Sequence, residues 1–524
     1  MSNTEMSRTR TNAGSTGVDD RFRAALDVLL HPDLEPLVEM VISSPAPHTY
    51  EARSIDGAVR FHRRPTPDGW IFAVDSVEGR DPLADQDPTR FSPLPAEVAA
   101  GHPHRRVNSY PYAWEHAAQI FDHPCAPDLC VLHTAAHQQE HHRGEHGSLG
   151  VVQARAPFIL AGAGVRRLGM TDRHCRLIDV APTLLALLGA EPGTGVRPGP
   201  HDAAGEPRPD AHLAHQDGDA LIDILDMASG PPDHVVAVLL DGCNPNRLYD
   251  MAATGEAPHV ARLLAMGTGF RHGAMASLPT VTLANHTSLL TGCHPGHHGV
   301  LHNAWYDRRL GRQVITESPA TWQEAMQWLT PGVETIHQAI KRHRPEAVTV
   351  SVNEPADSGA DYSTFELFRQ GRTDELLPDF SVLPPFTTEP YAETSESYRW
   401  SSFADSVALR QATAIWAGHH LGVDYPPPVF MWVSFSLTDS AFHEGGPHGD
   451  IARASVRDTD ARLGELLASI EAAGVFDQTA FCLVADHGME ENDPEVNGNW
   501  GDALRASGIR FRDEASGFLY FDVE

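Results

Sequence analysis

Three places in this sequence end an apolar run with side chains that bind metal ions. Asp241 follows Val235–Leu240 and precedes Gly242; Asp486 and His487 follow Ala480–Ala485 and precede Gly488; Asp439 and His443 come just past Val429–Phe435. If the runs are strands of one open α/β sheet, all five side chains lie on the edge where ligands collect. Adjacent carboxylate and imidazole groups are suitable zinc ligands. The i, i+4 spacing of Asp439 and His443 puts both on one face of a helical turn. Plainer readings exist for each: a turn aspartate, a common tripeptide, a surface helix pair. Thr282 stands just before the apolar stretch Thr287–Leu290. A helix N-terminus there would offer free N–H groups and partial positive charge to a phosphate. Thr282 also reads as a simple N-cap, which does not conflict with chemistry. Its hydroxyl is a poor nucleophile unaided, and a bound metal is a standard way to activate it.

The elements that must carry these residues are legible as strand–helix alternation. From residue 220 onward, His234–Leu240, Ala347–Val352, Val429–Phe435 and Thr479–Ala485 read as buried strands, and Ile451 to Ala473 has a long helical period. Continuous apolar strands alternating with helices predict an α/β fold with a mostly parallel central sheet flanked by helices. Residues 20–192 read as mixed α/β. Leu129–His133 and Pro157–Ala161 are expected strands, Asp179 to Leu188 a short helix, and Tyr50–His62 with Trp70–Val77 a hairpin. Residues 1–19 read as disordered. The Gly-, Pro-, Asp- and His-rich stretch 193–219 reads as a linker between 20–192 and 220–524.

The bulk numbers narrow the partners. The formal net charge is −31, and Lys341 is the sole lysine. This argues against a nucleic-acid backbone as partner, which needs a basic face. A small phosphorylated substrate stays possible, because bound metal ions set the local charge. No apolar run approaches the ~18 residues of a membrane span. Residues 1–20 lack an apolar signal core, and the six cysteines form no CxxC pair. The expectation is a soluble cytoplasmic protein with no membrane partner.

Taken together, the motifs resemble the alkaline phosphatase superfamily, in its nucleotide pyrophosphatase/phosphodiesterase branch. Pro279 to His286 reads PTVTLANH, against a nucleophile loop of form PTxTFPNH. Thr291, Gly292, Pro295, His298 and Gly299 meet the segment that follows. Asp439, His443, Gly446 and Pro447 meet DxxxHxxGP, and Asp486 to Met489 meet DHGM. The resemblance implies two zinc ions, one held by Asp241, Thr282, Asp486 and His487, the other by Asp439, His443 and one further histidine. It implies Thr282 as nucleophile, and Asn303 as a residue that helps hold a phosphoryl oxygen.

In the family the further histidine lies in a GxHG segment after DHG, yet no histidine follows His487 here. Gly144-Glu145-His146-Gly147 has the required form upstream. It is followed by Ala156 to Gly162 and Ile178 to Leu185, a succession that resembles the superfamily's last strand and helix. The chain therefore reads as circularly permuted, with 220–524 as the first part of the fold, 20–192 as the last, and His146 as the seventh metal ligand. The implied activity is hydrolysis of a phosphodiester or nucleotide pyrophosphate bond. A phosphonoacetate hydrolase, whose family contacts substrate through lysines, is the runner-up, followed by a phosphomonoesterase and a metal-binding pseudoenzyme. Cys293-His294-Pro295 lacks the arginine of a sulfatase segment. Leu283 and Ala284 depart from the family's Phe-Pro and reshape the pocket beside Thr282.

Overall fold

The computed structural model describes residues 15–66, 69–100, 106–138, 142–190, 192, 212–213, 215–226, 228–316, 318, 320–376 and 395–521. Its centre is an eight-stranded sheet. The order is Gly169–Thr171, Gly267–Phe270, Phe158–Gly162, Thr479–Val484, His234–Leu240, Phe430–Phe435, Thr349–Val352, Tyr362–Ser363. Phe158–Gly162 runs antiparallel to both neighbours, and every other pairing is parallel. The mostly parallel α/β fold expected from the sequence is thus present. Thr479–Val484 and Phe430–Phe435 are buried at every position, as strands covered on both faces must be. Helices Val180–Leu187, Pro245–Thr254, Glu396–Trp416 and Asp450–Ala472 send apolar side chains into the same core. Each fully buried large apolar side chain contributes about 1.5–3 kcal/mol.

Register fixes where the chemistry goes. Leu240 lies opposite Phe435, and Leu239 opposite Val484. The three strands therefore end level, and the residues just past them share one edge. Phe158 pairs with Val484. The antiparallel strand thus starts at that edge, and the chain leading into it arrives from the same side.

The second sheet was not anticipated. Seven strands pair antiparallel throughout, in the order Arg512–Glu514, Phe518–Tyr520, Leu129–His133, Val38–Ala46, Thr49–Ser54, Gly57–Thr66, Gly69–Gly79. Side chains alternate between two cores, as a strand's period of two requires. Met40, Ile42, Cys130 and Leu132 face one, while Val41, Leu129 and Val131 face the other with helices Ser15–Leu29 and Trp500–Ala506.

Several sequence readings change accordingly. Segment 20–192 is divided: Leu129–His133 belongs to the antiparallel sheet beside the last strands of the chain, while Phe158–Gly162 joins the central one. Tyr50–His62 is two strands, because Ile55-Asp56 forms a two-residue turn that pairs Ser54 with Gly57. Of residues 1–19, 1–14 lie outside the described residues and a helix begins at Ser15. Of the linker 193–219, residues 193–211 and 214 lie outside the described residues. Gln216 and Asp217 are buried, because Asp217 accepts hydrogen bonds from the His294 N–H (2.8 Å) and the His297 ring (2.7 Å).

Candidate active site

The turn after each strand is shaped to bring its carboxylate inward. Gly242 has φ +62°, and a Cβ there would stand 2.5 Å from Asp439 Oδ1; only glycine lets the two turns approach so closely. Its N–H donates to Asp486 Oδ1 at 3.0 Å. The Asp241 carbonyl accepts from Thr438 Oγ1 at 2.5 Å, which ties this turn to the helix Leu437–Gly445 that carries Asp439 and His443. That helix has no cap of its own. The carboxylate of Asp405, on helix Glu396–Trp416, accepts from the Ser436 and Leu437 N–H groups at 2.7 and 3.1 Å, filling donors a helix start leaves open. Asp405 is a structural partner that the sequence reading missed.

His146 arrives from the other part of the chain. Gly144–Glu145 pairs antiparallel with Glu490–Glu491, three residues past His487. Gly147 N–H donates to Thr280 Oγ1 at 2.9 Å, and His146 Nδ1 donates to the Thr280 carbonyl at 2.8 Å. His133 Nε2 donates to the His146 carbonyl at 3.0 Å, so this member of the histidine-rich stretch holds the loop. His141 lies outside the described residues.

Six of the seven side chains named from the sequence converge in two groups. His146, Asp439 and His443 form one group of donors, and Asp241, Asp486 and His487 a second. In the first, His146 Nε2 is 3.2 Å from His443 Nε2 and 3.8 Å from Asp439 Oδ1. In the second, His487 Nε2 is 3.2 Å from Asp486 Oδ2 and 3.7 Å from Asp241 Oδ1. Ligands about 2.0–2.1 Å from a tetrahedral zinc sit about 3.3 Å from each other, so both groups have the spread of a metal's coordination shell. The rings of His146 and His487 stack at 3.7 Å, which makes the groups immediate neighbours. All three imidazoles donate through Nδ1 to a backbone carbonyl: Thr280, Gly144 and Gly488 respectively for His146, His443 and His487. That fixes the tautomer and leaves Nε2 as a lone-pair donor toward the centre. Asp241 Oδ1, Asp439 Oδ1, Asp486 Oδ2 and His487 Nε2 are buried without a hydrogen-bond partner among the described residues. Such atoms are costly to bury unless something binds them, and a divalent cation fits the donor set.

Electrostatics point the same way. Burial, then the nearby Asp486 and Asp439 carboxylates, hold Asp241 well above the ordinary aspartate range. Burial, then His487 and His443, hold His146 well below the ordinary histidine value. Carboxylates concentrated beside an imidazole held neutral by burial suit a cation.

Thr282 is the first residue of helix Thr282–Thr291. Val281, not Thr282, is the N-cap, so Thr282 does not cap this helix. The Asn303 Oδ1 accepts from the Leu283 N–H at 3.1 Å, which holds the Asn303 amide beside Thr282 and occupies one of the free N–H groups of the helix start. Thr282, Asn303, Asp241, Asp439, His146 and His443 all line one cavity of about 770 Å³. Beside the second donor group lies a buried pair whose role the sequence reading missed. His286 Nδ1 donates to Glu354 Oε2 at 2.8 Å, and its Nε2 stands 3.6 Å from Asp486 Oδ2. Burial alone would lower the His286 pKa, but the Glu354 carboxylate overrides it and the value is raised. Lys341 lies elsewhere, donating to the Ala347 carbonyl and Asp361, both at 2.9 Å.

The sequence profile described as "Type I phosphodiesterase / nucleotide pyrophosphatase" matches residues 235–524. This span holds six of the seven proposed ligands and excludes His146. Alkaline phosphatase PafA of Elizabethkingia meningoseptica is 31% identical over 114 residues, 22% of this chain and 19% of that protein. Bis(5'-adenosyl)-triphosphatase ENPP4 of Bos taurus is 21% identical over 271 residues, 50% of this chain and 49% of that protein. The chain thus spans half or less of the length of these curated relatives. Among solved structures, murine ectonucleotide pyrophosphatase/phosphodiesterase 5 is similar at 17% identity and TM-score 0.33, over 50% of this chain and 59% of that one. Phosphonoacetate hydrolase from Sinorhizobium meliloti 1021 is similar at 20% identity and TM-score 0.32, over 49% and 57%.

Proposed function

The chain belongs to the type I phosphodiesterase / nucleotide pyrophosphatase family, and from that premise we propose that it is a metal-dependent hydrolase of phosphodiester or nucleotide pyrophosphate bonds, with Thr282 as nucleophile. The observation that carries the reading is the two adjacent donor groups opening on the same cavity as Thr282. Asp241, Asp486 and His487, with Thr282, would hold one divalent ion, zinc by donor type. His146, Asp439 and His443 would hold the other. Ions bound there lower the pKa of the threonine hydroxyl and offset charge on the phosphoryl oxygens.

Thr282 Oγ1 attacks phosphorus, the alcohol or phosphate leaving group departs, and a phosphothreonine ester remains. Water then cleaves that ester. The Asn303 amide, oriented by its bond from Leu283 N–H, donates through Nδ2 to a non-bridging oxygen. Glu354 orients His286, whose Nε2 faces Asp486 Oδ2 at 3.6 Å as a nearby positive charge rather than a hydrogen-bond donor.

The chain order is part of the proposal. We read the loop 144–147 and the strand Phe158–Gly162 as the closing portion of the family's catalytic domain, permuted to the front. In support, the family match begins at residue 235, while His146 meets Asp439 and His443 in space.

The test is Thr282→Ala in zinc-loaded protein, assayed on a p-nitrophenyl phosphodiester. Turnover should fall by roughly three or more orders of magnitude while bound metal is retained. In the unaltered protein, rapid acid quench after brief turnover should trap phosphorus on the peptide containing Thr282. Near-normal turnover in the variant, or phosphorus trapped on another residue, would refute the nucleophile assignment.

A further inference from the structure

Thr282 is reached through residues 277–281, a loop between the strand Ala274–Met275 and the helix Thr282–Thr291. The whole loop is buried, so its carbonyls need donors from the protein. The nucleophile's own helix supplies some of them. Asn285 Nδ2 donates to the Ser277 and Pro279 carbonyls at 3.1 and 2.8 Å, and the Asn285 N–H to the Val281 carbonyl at 3.1 Å. The other two carbonyls are met from the front of the chain. His146 Nδ1 donates to Thr280 at 2.8 Å, and Gln119 Nε2 donates to Leu278 at 2.6 Å. His146 belongs to the metal site already described. Gln119 does not, and it lies outside the span 235–524 that matches the family.

Gln119 is 1% exposed and stands near the end of the helix Ala113–Ile120. Its Oε1 accepts from the Gly296 N–H at 2.7 Å, and its Nε2 also reaches the His116 carbonyl at 3.1 Å. A Cβ at Gly296 would stand 1.8 Å from the Gln119 carbonyl oxygen, so the two backbones touch. One amide therefore ties the loop ahead of Thr282 to the short helix Pro295–His298 beyond the nucleophile helix. An amide can do this because it carries a donor and an acceptor together. Glu115 lies one turn earlier on the same helix face and makes a second tie. Its Oε1 accepts from His294 Nε2 at 3.2 Å, and His294 Nδ1 accepts from Ser277 Oγ at 2.8 Å. The order Ser–His–Glu is that of a hydrolytic triad, but Ser277 is 1% exposed, so it anchors the loop and does not attack. One face of this helix thus grips the loop at Ser277 and Leu278.

Resting on the reading of Thr282 as nucleophile, we propose that Gln119 is a positioning residue for it: by holding the Leu278 carbonyl and the Gly296 N–H together, its amide sets the aim of Thr282 Oγ1 at phosphorus. Attack is sensitive to such placement, since an error of about 1 Å at a reacting atom costs roughly 10²-fold in rate.

The test uses two variants of nearly unchanged size in the zinc-loaded full chain, with bis(p-nitrophenyl) phosphate as substrate. Gln119→Leu can make neither bond. Its kcat should fall roughly 10–100-fold, with KM within about threefold of the unaltered protein. Zinc content should stay the same, and calorimetric affinity for inorganic phosphate should stay within about threefold. A Gln119→Leu protein with unaltered kcat would overturn the proposal. So would a loss of phosphate affinity or zinc that parallels the loss of kcat, which marks a general structural role. Gln119→Glu adds a readout that packing alone does not move. Protonated, its O–H donates to Leu278 and its other oxygen accepts from Gly296; ionised, it has no donor and faces the Leu278 carbonyl. The ratio of its kcat to that of the unaltered protein should fall at least about fivefold from about pH 6 to about pH 9. Glu115 and His116, on the same helix, are present in both proteins and cancel in the ratio. A ratio that stays constant with pH would overturn the proposal, and it decides the matter if Gln119→Leu does not fold. If Thr282→Ala keeps near-normal turnover, the nucleophile reading falls and this inference with it; unaltered kcat in Gln119→Leu removes this inference alone.

Discussion

Replacing His146 by alanine separates a shared metal site from a coincidental cluster. Its Nε2 lies 3.2 Å from His443 Nε2 and 3.8 Å from Asp439 Oδ1, with Nδ1 committed to the Thr280 carbonyl. Removing the ring leaves that ion two protein ligands, where catalytic zinc sites have three. Four-ligand zinc sites bind with roughly 10–16 kcal/mol, or about 2.5–4 kcal/mol per ligand, so affinity at this position should fall roughly 10²–10³-fold. The lost Nδ1 hydrogen bond costs the fold only about 1 kcal/mol, so the variant should remain folded. The assay is competition against a chromophoric chelator, followed by metal analysis after gel filtration. Two tightly held ions should become one, and Asp241→Asn should weaken the other ion instead. A folded His146→Ala protein that keeps both ions at unaltered affinity would refute the shared site, and with it the permuted reading of the chain.

Further outcomes follow from neighbouring groups. Asn303→Ala should lower kcat for a p-nitrophenyl phosphodiester by roughly 10²–10³-fold, as for loss of one oxyanion donor; an unchanged kcat would remove Asn303 from the mechanism. In chelator-treated protein the Asp241 carboxyl sits well above its unfolded value, through burial and then its carboxylate neighbours. The folded state then holds the proton that the unfolded state loses, so stability should fall as pH rises from about 4 through that raised value. Zinc should remove this slope, and denaturant midpoints with and without zinc that share one pH dependence would count against it. Burial would lower His297, but Asp217 and Asp122 raise it to about 10, while His297 and its neighbours overcome burial to lower Asp217 to about 2. The stability from this triad should be fully present between about pH 4 and 6.5. It should be lost upward as His297 deprotonates near 10 and downward as Asp217 protonates near 2. The midpoint difference between the unaltered protein and His297→Gln should shrink from pH 6 to 9.5; a constant difference would contradict the pairing.

What lay open in the sequence was whatever local pattern controls. Fully buried strands must be apolar along their whole length, so His234–Leu240, Phe430–Phe435 and Thr479–Val484 announced a covered parallel sheet. Ligands collect beyond strand ends, so Asp241, Asp486 and the i, i+4 pair Asp439 and His443 stand out as candidates in the sequence. What local pattern does not control was hidden. The antiparallel sheet joins Val38–Ala46 and Leu129–His133 to Phe518–Tyr520, partners hundreds of residues apart, and strand pairing leaves no mark of its partner in either strand. Asp405 caps a helix 32 residues away, Glu354 holds His286 across 68, and Asp217 reaches His297 across 80. Each is a single acidic residue in an ordinary setting, and its role exists only once packing supplies the opposite donor. The sequence by itself determined the strands, the edge and the ligand types. The resemblance also named His146 as a ligand; what only the tertiary structure decided is the path by which it arrives: an antiparallel strand enters a sheet where its parallel neighbours leave it, and that geometry brings residues 144–147 to Asp439 and His443.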